Sequence, residues 1–236
     1  MADDGASREG DTWVKRHRSP RKYSRELHFA RYVAARVGAV PTLLAASDER
    51  RELVYGHVEG RPGDGRDHQA AGSWLARLHA LDGVPDDPVP LADAMRARWD
   101  RWWPLAAPAL SGPHRRKLVS WFEPVPGDRS WCHRDYREAN WLVGEDSGGV
   151  TVSFVVIDFE HAGPDGPLAD LAKLAPRWHA DPAAEAAFRL GYPAWDPVAL
   201  RSWVALWILG TVGWARQHGT GTFDALELLA PKRRSR

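Results

Sequence analysis

Apolar residues along this chain follow two periods, one strand-like and one helical. Towards the front the apolar runs are short. Trp13 and Val14 lead to Lys15 and predict a strand over residues 11–17. Residues 42–46 and 53–58 predict two more strands, and the polar turn Ser47-Asp48-Glu49-Arg50-Arg51 predicts that they pair as a hairpin. Ahead of this pair Leu27, Ala30, Tyr32, Val33 and Val37 form one stripe of a helix over residues 24–37, with Gly38 placed to cap it. Residues 1–10 are polar and are expected to be disordered. Residues 16–22 read as a basic loop.

After Glu59-Gly60-Arg61-Pro62-Gly63-Asp64-Gly65 the pattern turns helical. Trp74, Leu75, Leu78 and Leu81 recur at helical spacing within residues 70–81, and residues 91–103, 114–122, 183–190 and 198–217 predict further helices. Residues 131–132 and 141–143 predict short strands. The run Thr151-Val152-Ser153-Phe154-Val155-Val156-Ile157 predicts a buried strand that forms a hairpin with residues 141–143. The expected outline is a strand-rich front lobe over residues 1–59, a flexible connector, and a larger helical lobe over residues 60–236. A cleft between unequal lobes is the natural place for a ligand.

Composition narrows the function. At 236 residues the chain can bury roughly 70% of its unfolded surface. A net charge of +1 argues against a nucleic-acid or anionic-membrane partner. The basic runs Lys15-Arg16-His17-Arg18 and Lys232-Arg233-Arg234 read as solvated faces. The single cysteine, Cys132, allows no intramolecular disulfide and no CxxC zinc site. Residues 1–11 lack the apolar core of a signal peptide, and the apolar stretch 203–214 is too short to span a bilayer. A cytoplasmic protein is expected. The thirteen tryptophans read chiefly as packing residues.

The chemistry lies in one loop and one strand end. Asp135 and Asn140 stand five apart on a polar loop between two apolar stretches, so both can face a cleft. Asp158 follows a buried strand directly, and a charge there is costly without a partner or a metal. Phosphoryl transfer needs these parts: a carboxylate beside the acceptor hydroxyl, hard oxygen ligands for Mg²⁺, and a cation for the phosphates. Lys15 on the front strand supplies the cation, and Glu26 on the next helix is placed to pair with it.

At these residues the chain resembles the aminoglycoside phosphotransferase and choline kinase group, small-molecule relatives of protein kinases. His133-Arg134-Asp135-Tyr136-Arg137-Glu138-Ala139-Asn140 is similar to the group's catalytic loop. Ile157-Asp158-Phe159-Glu160-His161-Ala162-Gly163-Pro164 resembles its metal-binding segment, and Pro167-Leu168-Ala169-Asp170-Leu171-Ala172 the stretch that follows. Leu75-Ala76-Arg77-Leu78-His79-Ala80-Leu81 and Val58-Glu59-Gly60-Arg61-Pro62 also match, so the likeness runs from Trp13 to His218.

The resemblance implies an α+β, two-lobed kinase-like fold with a shortened N-lobe, and an ATP- and Mg²⁺-dependent transfer to a hydroxyl of a small molecule, such as an antibiotic. It implies that Asp135 is the catalytic base and that Asn140 and Asp158 hold the metal. Lys15 meets the phosphates, held by Glu26. Tyr55, His57 and Val58 lie in the segment whose backbone meets the base. His133 and Asp170 support the catalytic loop.

Two departures stand out. Only fourteen residues precede Lys15, without a Gly-rich phosphate loop. Arg134 stands where small-molecule kinases often carry glycine, and Glu160 replaces the glycine of the protein-kinase DFG. The first departure motivates an alternative, a catalytically impaired pseudokinase serving as a binding or regulatory module.

Overall fold

The computed structural model describes residues 5–145, 151–219 and 223–229. The basic run at 232–236 lies outside these residues. The chain divides into two compact units. The first comprises Met1–Val84, Ser130–Pro164 and Ala183–Pro193, and the second comprises Pro85–Arg129, Asp165–Pro182 and Ala194–Arg236. Residues on both sides of position 59 contribute to the first unit.

The first unit contains a four-stranded antiparallel sheet of order β1-β2-β4-β3. Its strands are β1 (Gly5–Glu9), β2 (Thr12–Arg16), β3 (Leu43–Ser47) and β4 (Glu52–Gly56). Residues 5–9 are therefore ordered, against the sequence expectation. β1 is an edge strand exposed along its whole length, so it shows no apolar alternation for a sequence reading to find. Its order comes from a tight turn at Gly10, with φ 61°, and from pairing that sets Ala6 opposite Lys15.

The first helix starts earlier than its apolar stripe. The Ser19 side chain accepts from the Lys22 N–H, and Pro20 occupies the first turn, so α1 runs Pro20–His28. The chain continues through a π-helical turn, Phe29–Val33, into α2 (Ala34–Val37), which ends at Gly38 as expected. Leu27 and Ala30 pack with Tyr23 against Leu53, Tyr55 and Leu43 of the sheet.

The connector is held firmly instead of being flexible. Arg61–Pro62 form β5, which pairs with β7 (Trp141–Glu145), and β7 pairs antiparallel with β8 (Thr151–Val156) as the predicted hairpin. Arg61 grips the buried Asp67 carboxylate with two N–H groups at 2.7 and 3.0 Å and reaches Glu145 at 2.8 Å. Gly60 lies so close to Val143 that a Cβ there would stand 2.9 Å from its backbone nitrogen. Gly60 and Gly63, which suggested flexibility, are there for close approach.

α3 (His68–His79) and α7 (Pro182–Gly191) also belong to this unit, apart from Pro182. They cross at Gly72 and Gly191, where a Cβ would meet backbone oxygens at 2.4 and 2.2 Å. A short strand, β6 (Ser130–Cys132), leads into the loop that begins at His133.

The second unit is helical: α4 (Leu91–Ala106), α5 (Gly112–Trp121), α6 (Leu168–Ala180), α8 (Pro197–His218) and α9 (Phe223–Glu227). α4, α5 and α6 pack on α8, and the core includes Met95, Leu118, Ile208, Leu209 and Val212. α6, absent from the periodicity reading, carries Pro176 within it. α8 spans 22 residues and is long and apolar enough to cross a membrane by length and composition, but 56% of its apolar window is buried in the fold. Trp99, Trp102, Trp103, Trp121 and Trp207 pack around this core, as the packing role of the tryptophans predicted.

Candidate active site

A cavity of about 600 Å³ lies within the first unit, in the range usual for small-molecule sites. It is lined by Lys15, Glu26, Tyr55, His57, Val58, Asn140 and Asp158, all singled out from sequence. Gly5, Ala6, Trp13, Lys22 and Glu160 line it too, and the sequence reading had not assigned them to the site.

The front wall follows from strand geometry. Alternation on β2 puts Trp13 and Lys15 on one face and Val14, which is buried, on the other. The register sets Trp13 opposite Tyr55, and Gly5 and Ala6 opposite Arg16 and Lys15. Small residues therefore stand beside the lysine.

Lys15 is surrounded by carboxylates. Its Nζ lies 2.8 Å from Glu26, 2.5 Å from Asp158 and 3.4 Å from Glu160. Burial alone lowers the affinity of Lys15 for its proton, but the Glu26 and Asp158 charges outweigh it and hold the ammonium above its usual range. Glu26 is buried, which disfavours its charge. The His17 ring nitrogen 3.0 Å away and the Lys15 charge nevertheless keep it below the ordinary carboxylate range. His161 and Lys22 hold Glu160 down similarly, with Lys22 donating at 2.7 Å. The buried Tyr55 hydroxyl lies 3.3 Å from Glu26, and burial with that nearby charge raises its pKa.

Hydrogen bonds to the backbone build the other wall. His133 Nε2 donates to the Ile157 carbonyl at 2.9 Å, while Nδ1 accepts from the Asp135 N–H at 3.2 Å. These two bonds fix one neutral tautomer. The Ile157 N–H donates to the Asn140 carbonyl at 3.0 Å, so the loop over residues 133–140 and the segment over residues 157–164 meet one residue before Asp158. The Asn140 amide nitrogen donates to the Asp135 backbone carbonyl at 2.8 Å and to its carboxylate at 3.2 Å. Asp135 is not itself a lining residue and is tied to the cavity through Asn140. Tyr136 donates to the Ala71 carbonyl, and Glu138 pairs with the buried His68 at 2.9 Å. Phe159 stacks on Phe29 with ring centres 4.0 Å apart and anchors the turn between Asp158 and Glu160.

Two residues near the cavity hold a backbone that glycine prefers: Arg134 with φ 65° and Asp158 with φ 69°. The Arg134 value gives a physical reason for the glycine often found there in the resembling group. Such conformations cost of order 1–3 kcal/mol and gather at functional sites. Asp170 is buried in the first turn of α6, in the second unit.

The fold and these contacts can be set beside known proteins. A family model described as the phosphotransferase enzyme family matches residues 4–205. The chain belongs to that family. With it, the expectation of a small-molecule phosphotransferase on a kinase-like α+β fold holds. No curated protein matches it by sequence.

Solved structures share the fold at low identity. The macrolide 2'-phosphotransferase MphH from Brachybacterium faecium is 20% identical with a TM-score of 0.66, over 97% of this chain and 89% of that one. APH(2")-IIia, solved with GDP and kanamycin, is 18% identical with a TM-score of 0.70, over 94% and 86%. A thermostable mutant of APH(4)-Ia, with ADP and hygromycin B, is 16% identical with a TM-score of 0.62, over 97% and 90%.

Proposed function

We propose that this phosphotransferase moves the terminal phosphoryl group of ATP, with Mg²⁺, to a hydroxyl of a small molecule such as an aminoglycoside or related antibiotic. The observation that carries the proposal is the convergence of Lys15, Glu26, Asn140 and Asp158 on one cavity, with Asp135 hydrogen-bonded to Asn140. ADP and GDP in the structures of similar fold support a purine nucleotide donor, and kanamycin and hygromycin B support a hydroxylated acceptor.

The residues suit magnesium. Its amide nitrogen turned to Asp135, Asn140 keeps Oδ1 as an acceptor at the cavity, and Asp158 adds a carboxylate. Both are hard oxygen donors. Bound there, the ion supplies charge neutralisation on the phosphates. Asn140 and Asp158 hold it, and Glu160 is a further carboxylate at the same wall. Lys15, steadied by Glu26, meets the phosphates. The Tyr55–Val58 stretch meets the base. Asp135 orients the acceptor hydroxyl and takes its proton. His133 is a positioning residue for that loop, and the setting is cytoplasmic.

The test is phosphate transfer from ATP and, in parallel, GTP to a panel of aminoglycosides, macrolides and amino alcohols, followed by mass spectrometry of the acceptor. The expected result is a phosphorylated product from at least one acceptor, lost in Asp135→Ala. Product formation at the unaltered rate by Asp135→Ala would contradict the assignment.

A further inference from the structure

Where the chain leaves β4 for the connector, His57 and Trp13 form a side-chain pair that no motif predicts. The Trp13 indole N–H donates to His57 Nδ1 at 2.8 Å. The rings stand 6.3 Å apart at 35°, so they meet by this bond and not by stacking. Both line the cavity. The His57 main chain is fixed separately, its N–H donating to the Asp11 carbonyl at 2.9 Å. Trp13 is 37% exposed, so packing alone leaves its ring angle loosely set.

We infer that His57 is a positioning residue that locks the Trp13 indole as a shelf for the donor's purine base. This rests on the reading of the cavity as a nucleotide site. The chemistry is selective. A shelf must present a π-face, and an indole has one polar edge with which to be fixed. His57 Nδ1 takes that edge, so the neutral ring carries its proton on Nε2. The Trp13 face stays free for the base. Freezing the ring beforehand removes part of the ordering cost that a base would otherwise meet on binding.

The experiment is calorimetric titration of the full chain with ATP and Mg²⁺ in six forms: unaltered, H57A, H57N, H57F, W13F and W13F/H57A. Asparagine places an amide oxygen close to where Nδ1 stands, whereas phenylalanine keeps a ring without an acceptor. Loss of one such bond predicts about three- to ten-fold weaker binding in H57A and H57F. Recovery to within about two-fold is expected in H57N. In the W13F background, which lacks the donor, adding H57A should cost nothing further. Thermal midpoints without nucleotide should be alike for H57N and H57F.

Equal affinity of H57A, H57F and H57N to the unaltered chain would overturn the inference and leave the nucleotide site standing. Equal weakening of H57N and H57F would also overturn it, because it would assign the effect to the imidazole itself. No binding of ATP or GTP by the unaltered chain would overturn the nucleotide reading and this inference together.

Discussion

The two walls of the cavity are held by different forces. The front wall, around Lys15, is a knot of charge: two ammonium groups, Lys15 and Lys22, face the carboxylates of Glu26, Asp158 and Glu160. The back wall, which the His133–Asn140 loop reaches through Asn140, is held mainly by bonds to backbone atoms, with His133, Tyr136 and Asn140 doing the stitching. Charge pairs can be redistributed when an ion or a phosphate arrives. Neutral backbone bonds have one satisfied arrangement and keep it. The back wall is thus a fixed scaffold, and the front wall carries the charge that an incoming ligand would meet.

The comparison can be broken from either side. The largest effect should come from the carboxylate bonded behind the back wall to Asn140. Asp135→Ala is expected to lower the rate of transfer by about 10²–10⁴-fold, as removal of a positioned proton acceptor does. Far-ultraviolet circular dichroism should show the fold intact. In the front wall, Glu26→Ala leaves Lys15 without its buried partner, and urea unfolding should register a loss of about 3 kcal/mol.

His133→Ala removes two hydrogen bonds and strands the Ile157 carbonyl and the Asp135 N–H. A loss of about 2 kcal/mol is expected, nearly independent of salt.

Acid gives a subtler test. Glu26 and Glu160 are both held below the ordinary carboxylate value of about 4.5. The unfolded chain therefore takes up protons there before the folded chain does. The stability these groups contribute is fully present above that value and is lost as pH falls below it. Unfolding midpoints measured from pH 6 to pH 3 should decline, and Glu160→Gln should flatten the decline. The smallest effect belongs to the surface. Glu185 pairs with Arg189 one turn away at 2.7 Å, and Glu185→Ala should cost under about 0.5 kcal/mol.

Much of this site was legible because its parts are motif-bound. Asp135 and Asn140 share one short loop, and Asp158 ends an apolar strand that no other pattern explains. Lys15 and Glu26 were legible as a strand and a helix in succession. What escaped came from convergence of distant segments. Glu160 and Lys22 stand 138 positions apart and meet at 2.7 Å. The signal for Trp13 was present, since it alternates with Lys15 and so must share its face. β1 escaped for the opposite reason, being exposed on both faces and therefore without a pattern. The connector misled because Gly60 reads as freedom when its neighbour Val143 leaves room for nothing larger.

The account turns on whether the charged front wall accepts a nucleotide and a magnesium ion. The most direct measurement is calorimetric titration of the purified chain with ATP, with and without Mg²⁺, repeated on Asp158→Asn. The expected result is binding that strengthens with Mg²⁺ in the unaltered chain and loses that dependence in Asp158→Asn. Absence of binding at millimolar ATP would contradict the phosphotransferase account and favour a binding module that has given up its nucleotide.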